Sequence, residues 1–166
     1  MLAAHEIFGF MSPALALEII DHLHTSDRDT YRALLAAVSD FRRVRPIFLE
    51  RKPRVDQHKA LVESLTKPKL ELNAVAALQT WLMKNQKAML VDFLNALEIK
   101  HEEGAVDDLP EKMEDAKLTG AVEGLLANYP HEKVAIYLRA FNDLSNANWD
   151  NLAKMLDEDK RLQLGG

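Results

Sequence analysis

Apolar residues recur three and four positions apart along almost the whole chain, and that spacing most limits the folds open to it. Leu34, Leu35, Val38 and Phe41 show it, as do Leu118, Val122, Leu125 and Leu126. A sheet would need alternation and turns that tolerate positive φ. No Asn-Gly or Asp-Gly pair occurs, and two of the six glycines are the last two residues. The expectation is an all-α chain. Seven to eight helices stacked as antiparallel hairpins would form a compact bundle or a short HEAT-like helical array, in a single domain over residues 1–166.

Prolines and short polar residues place the expected boundaries. A first short helix covers Ala3 to Phe10. Ser12-Pro13 supplies a cap and a first-turn proline for a helix to about His24. Asp27 caps the next, to about Val44, and so short a link makes the two antiparallel neighbours. Pro46 starts a short helix that Pro53 must end, because proline lacks the amide proton and clashes with the preceding turn. Asp56 to Leu65 follows, then a segment capped by Asn73; Lys84 to Lys87 reads either as a turn with Asn85 capping the next helix or as a wet patch on one long helix over 73–98. Ala88 to Leu97 is apolar nearly all round and is expected to be the most buried helix. KHEEGAVDDLPEKMED, residues 100–115, reads as the clearest loop. Helices over 116–127, from Pro130 onward, and after Asn146 or Asn148 complete the chain. A shift of 118 residues superimposes the apolar pattern of 13–44 on that of 130–162, pairing Tyr31 with Trp149 and Arg43 with Arg161. Any two amphipathic hairpins align in part, so this is a possible hairpin similarity only.

There are no cysteines, which removes disulfides, cysteine-ligated zinc, iron–sulfur clusters and thiol nucleophiles. The longest apolar runs, such as Ala74 to Leu78, fall far short of the roughly 20 residues a membrane span needs. The first 20 residues have no basic start, and Glu6 and Glu18 interrupt their apolar residues, so no targeting segment or membrane partner is expected and the default location is cytoplasmic.

Charge is unevenly placed. The chain has a net charge of −5, yet residues 42–69 carry nine basic and three acidic side chains, and residues 98–115 carry eight acidic and two basic ones. The basic run is densest in RRVRPIFLERKPR, residues 42–54. Arg42, Arg43, Arg45, Arg51, Lys52 and Arg54 are the candidates for gripping an anion or an acidic partner, since guanidinium forks fit carboxylate and phosphate. Ile47, Phe48 and Leu49 between them read as an apolar anchor with the charges reaching past it to water. The acidic balance of the chain weighs against nucleic acid, whose binders are mostly basic.

Other constellations are thinner. His101-Glu102-Glu103 with Asp107 and Asp108 suggests a metal, but the spacing fits no EF-hand and no HExxH occurs, so no metal site is assigned. Asp21 and His22 are adjacent and do not share a helix face; His24 lies on the apolar stripe as a core histidine. Asp92 and Asn95 share one face of the apolar 88–97 helix and are the candidates for a polar pocket between helices. Neither GxGxxG, GxxxxGK nor GxSxG is present. The expectation is therefore a non-enzymatic interaction module that needs no cofactor. It would use the basic segment and the acidic loop for protein contacts or self-association. The alternatives are weak nucleic-acid binding through the basic segment, and an enzyme or small-ligand site near Asp92.

Overall fold

The computed structural model describes residues 1–165, and among them every regular element is helical. Ten α-helices occur among the described residues rather than seven to eight, because the short α1 and α4 stand as elements of their own. The chain divides into two compact units, Ala3–Trp81 and Leu82 onward, the latter together with Met1–Leu2.

The first unit holds α1 (Ala4–Phe10), α2 (Pro13–Ser26), α3 (Arg28–Phe41), α4 (Pro46–Glu50), α5 (Arg54–Leu65), one 3-10 turn (Pro68–Leu70) and most of α6 (Glu71–Asn85). The caps follow the sequence closely. Ser12 Oγ accepts from the Leu15 amide at 3.3 Å, and Asp27 Oδ1 accepts from the Thr30 amide at 3.2 Å. Asp27 is the whole link between α2 and α3. These two helices pack on each other and both pack on α5, which also meets α1. Ile7, Ile19, Ile20, Leu23, Leu34, Leu61 and Leu65 fill the space between them. Glu71 anchors α1: its carboxylate accepts from the Ala4 and His5 amides at 3.0 and 2.8 Å and from His5 Nδ1 at 2.7 Å. An acid at a helix N-terminus satisfies amides that have no partner within the helix. Burial pushes the Glu71 carboxyl up, and the bonds from His5 and Ala4 outweigh it, leaving it below its usual range.

The second unit holds the end of α6, α7 (Lys87–Ala96), α8 (Asp115–Asn128), α9 (His131–Arg139) with a wide π turn after it (Ala140–Leu144), α10 (Asp150–Glu158) and a 3-10 turn (Lys160–Leu162). Residues 73–98 thus form two helices broken at Gln86, and Asn85 ends the first instead of capping the second. Asn73 lies inside α6, whose start is set by the turn after Pro68. α7 packs on α8, and α9 packs on α8, α10 and the last 3-10 turn. α9, not α7, is the most enclosed helix: Val134 to Arg139 are all buried, whereas α7 keeps Ala88, Asp92, Asn95 and Ala96 exposed. Phe93, Tyr137, Phe141 and Trp149 meet edge to face at 5.2–6.0 Å between ring centres. Neither Asn146 nor Asn148 caps α10. Both sit at positive φ, 63° and 49°, and turn the chain ahead of Trp149.

Candidate functional site

The basic segment is a corner. α3 stops at Phe41, and Arg43 takes a left-handed conformation with φ 57° that reverses the chain. Pro46 and Pro53 then bracket α4, leaving it five residues. A helix of under two turns has room for about one inward residue. That residue is Leu49, 2% exposed, so the expected three-residue anchor is reduced to one. Ile47 and Phe48 point outward, 44% and 56% exposed, with Val44 at 40% and Val55 at 59% beside them.

Six cations share this stretch with the apolar side chains, and they do not behave alike. Arg42 is a structural pin. Its Nε donates to Ser64 Oγ at 2.9 Å and its Nη2 to the Ala60 carbonyl at 3.1 Å, with Glu63 at 3.6 Å, which ties the end of α3 to α5. Arg43, Arg45, Arg51, Lys52 and Arg54 form no ion pair among the described residues and are exposed. Arg43 and Lys69, with Asp40 and Asn73, line a cleft of about 440 Å³ floored by Leu70. The result is four exposed apolar side chains in the same stretch as five cations that form no ion pair among the described residues, a surface suited to an acidic partner that carries apolar side chains of its own. Sequence reasoning placed the charges and missed the exposed apolar tips. The two prolines seven residues apart were the available signal, because they cap the length of the helix between them.

Beneath this corner lies a cluster of titratable rings. The Tyr31 hydroxyl donates to Gln57 Oε1, and Gln57 Nε2 donates to the Leu49 carbonyl at 2.9 Å, mooring α4 to α3 and α5. His24 and His58 lie against Tyr31. His24 is half-buried and His58 buried. Burial first, then nearby positive charge, holds both imidazoles below their usual range, and burial raises the Tyr31 phenol.

The acidic loop is built differently. Glu98 pairs with Lys117 at 2.6 Å and Glu103 with Lys87 at 3.2 Å. Glu102 and Ala105 exchange two backbone bonds of 2.9 Å across a turn in which Glu103 and Gly104 both have positive φ, the type I′ geometry. His101 Nδ1 accepts from the Gly104 amide at 3.1 Å, so Nε2 carries the proton and donates to Asn95 Oδ1 at 2.8 Å. His101 is thus a brace for the turn. No group of three or more His, Asp or Glu that could hold a metal occurs among the described residues. Glu102, Asp107, Asp108 and Glu111 are exposed and form no ion pair among the described residues.

Asp92 and Asn95 lie on the exposed side of α7, away from the buried Met89, Leu90, Phe93 and Leu94. Asp92 accepts a short bond from the Tyr129 hydroxyl, which pushes that phenol up to about 12. Neither residue lines the clefts of about 280 and 310 Å³ beside Asn151. Arg139 is buried and donates to the Leu156 and Leu162 carbonyls at 3.0 and 3.2 Å. The buried serines are also engaged locally: Ser39 and Ser64 donate to the Leu35 and Ala60 carbonyls of their own helices.

No protein-family model matches the chain, and neither a curated protein nor a solved structure matches it.

Proposed function

We propose that this chain is a non-enzymatic helical interaction module whose contact surface is the α4 corner. The observation that carries the reading is the union of exposed Val44, Ile47, Phe48 and Val55 with five cations that form no ion pair among the described residues. Folded chains place arginines beside acids where both serve the fold, and exposed apolar side chains gathered among free cations mark a surface kept for a partner. The partner chemistry that fits is an acidic protein segment with apolar side chains. The exposed acids of residues 98–115 in a second copy have that character, with Val106 and Leu109 half-buried among them.

The test is fluorescence anisotropy with a labelled peptide copying residues 98–115, run beside labelled single-stranded DNA, duplex DNA and RNA at several salt concentrations. The peptide is expected to bind, to weaken with salt, and to lose at least about tenfold in affinity with Phe48→Ser/Arg51→Glu. Sedimentation equilibrium of the whole protein at low salt reads the same contact between copies. Nucleic acid binding in place of peptide binding, with log affinity falling about 0.9 per phosphate contact per log unit of salt, would replace this reading with the phosphate-grip reading. Binding of neither probe, in a protein that stays monomeric, sinks both.

A further inference from the structure

His24 of α2, Tyr31 of α3 and His58 of α5 share one cluster, with ring centres 4.8 Å apart for His24–Tyr31, 5.4 Å for His24–His58 and 5.7 Å for Tyr31–His58. His58 is 5% exposed and its Nε2 has no hydrogen-bond partner among the described residues. His24 Nε2 lies 3.3 Å from Arg28 Nη1, a contact that requires an unprotonated ring nitrogen to accept. The charges facing the pair are mostly positive. Asp21 and His24 from α2 and Arg54 from its own helix act on His58. Arg54, Arg28 and Asp21 act on His24, and Glu50 of α4 acts on Tyr31. α1 also packs on α5, but its His5 is bound to Glu71 and its Glu6 faces the Ala3 amide.

Protons added here meet two arginines, each other, and a single nearby carboxylate on α2. The site resists them, because like charges at this spacing repel and the buried His58 ring has no acceptor for its Nε2 among the described residues. The side of the cluster nearest solvent is the start of α5, where Arg54, Val55 and Asp56 are exposed. Arg54, Gln57 and His58 lie on its first two turns, and Gln57 is the residue that moors Leu49 of α4.

We propose that the His24–His58 pair is a proton-sensitive latch on the α4 surface. Neutral rings keep the start of α5 packed against α2 and α3, with α4 moored above it. Protonated rings drive the start of α5 outward, break the Tyr31–Gln57–Leu49 chain and disperse the apolar tips of α4. Acidification therefore weakens the contact surface before it unfolds the rest of the protein. The latch is regulation of the surface proposed above, and its use in binding rests on that reading.

Amide hydrogen exchange tests it in the full chain without any partner, at about pH 7.5 and about pH 5.5 and corrected for intrinsic exchange rates. Protection over residues 46–60 is expected to fall at least about tenfold more than protection over α9, and His58→Phe, which keeps a ring and cannot take a proton, should remove that difference. An equal fall in both segments, or the same selective fall in His58→Phe, overturns the latch. Should His58→Phe not fold, the wild type decides: the loosening of 46–60 must share its midpoint with an imidazole titration of His24 or His58 followed by NMR, and separate midpoints overturn the proposal. A failed latch with intact peptide binding at about pH 7.5 leaves the contact surface standing. Absent peptide binding with a working latch removes the contact surface alone.

Discussion

The α3–α5 corner and the α9–α10 corner use similar residues to opposite ends. Each joins two helices through an irregular stretch containing left-handed residues, Arg43 in one and Asn146 and Asn148 in the other. Around α9–α10 the polar groups turn inward. Arg139 donates to two buried carbonyls, Asn142 Oδ1 accepts from the Trp149 amide at 2.7 Å, and Trp149 Nε1 donates to the Pro110 carbonyl at 2.8 Å. Even the exposed Arg161 is held between Glu123 and Asp159 at 2.5 and 2.7 Å. Of the six cations of residues 42–54, Arg42 alone serves the fold in this way among the described residues, and the other five are exposed in the same stretch as exposed apolar side chains. An arginine is therefore not a site by its identity. What distinguishes a structural arginine from an available one is whether backbone carbonyls or carboxylates already occupy its donors.

The sharpest way to break this comparison is Arg139→Ala. It strands the buried Leu162 carbonyl and leaves a cavity, while the Leu156 carbonyl keeps Gln163 Nε2 at 2.8 Å, and the expected loss is about 3 kcal/mol of unfolding free energy by chemical denaturation. A loss under about 1 kcal/mol would mean that the α9–α10 corner does not depend on its arginine. Asn142→Ala removes the acceptor for the Trp149 amide and should cost about 2 kcal/mol by the same measurement. Arg42→Ala, on a partly exposed pin, should cost about 1 kcal/mol, whereas Arg45→Ala and Phe48→Ser should stay within about 0.5 kcal/mol of the wild type. Equal losses for Arg42 and Arg45 would erase the division drawn between pin and free cations. Arg43→Gly relieves the left-handed backbone and should leave stability unchanged or raise it by up to about 1 kcal/mol while weakening the contact surface.

Acid gives the remaining test. His24 and His58 have folded values below that of a free imidazole, so the unfolded chain binds more protons than the folded one below about pH 6.5. Their contribution to stability is present above that value and is lost as pH falls through the folded values. Denaturation midpoints of the wild type should drop from neutral pH toward pH 5 more steeply than those of His58→Phe, and parallel curves would show that the ring cluster does not titrate on unfolding.

Much of the fold is legible in the sequence. Ser12, Asp27, Pro46 and Pro53 act through local backbone chemistry, so their effects appear in the sequence directly. The errors share a cause. Asn73, Asn85, Asn146 and Asn148 are all good cap residues by type, but packing set the helix starts at other positions. Asp92 and Asn95 read as pocket candidates because α7 is rich in apolar residues, yet only one side of that helix is buried and both residues lie on the other. Phe48 looked buried because it is aromatic, yet α4 is too short to turn it inward.

The sequence by itself determined the helical class, the main break points and the opposed charge of residues 42–69 and 98–115, because periodicity, proline and formal charge are local properties. Only the tertiary structure decided which arginines are occupied and which are free. It also decided that Phe48 and Ile47 face water and that His24 meets His58. Those facts depend on which helix face finds a partner, and residues distant in the chain supply that partner.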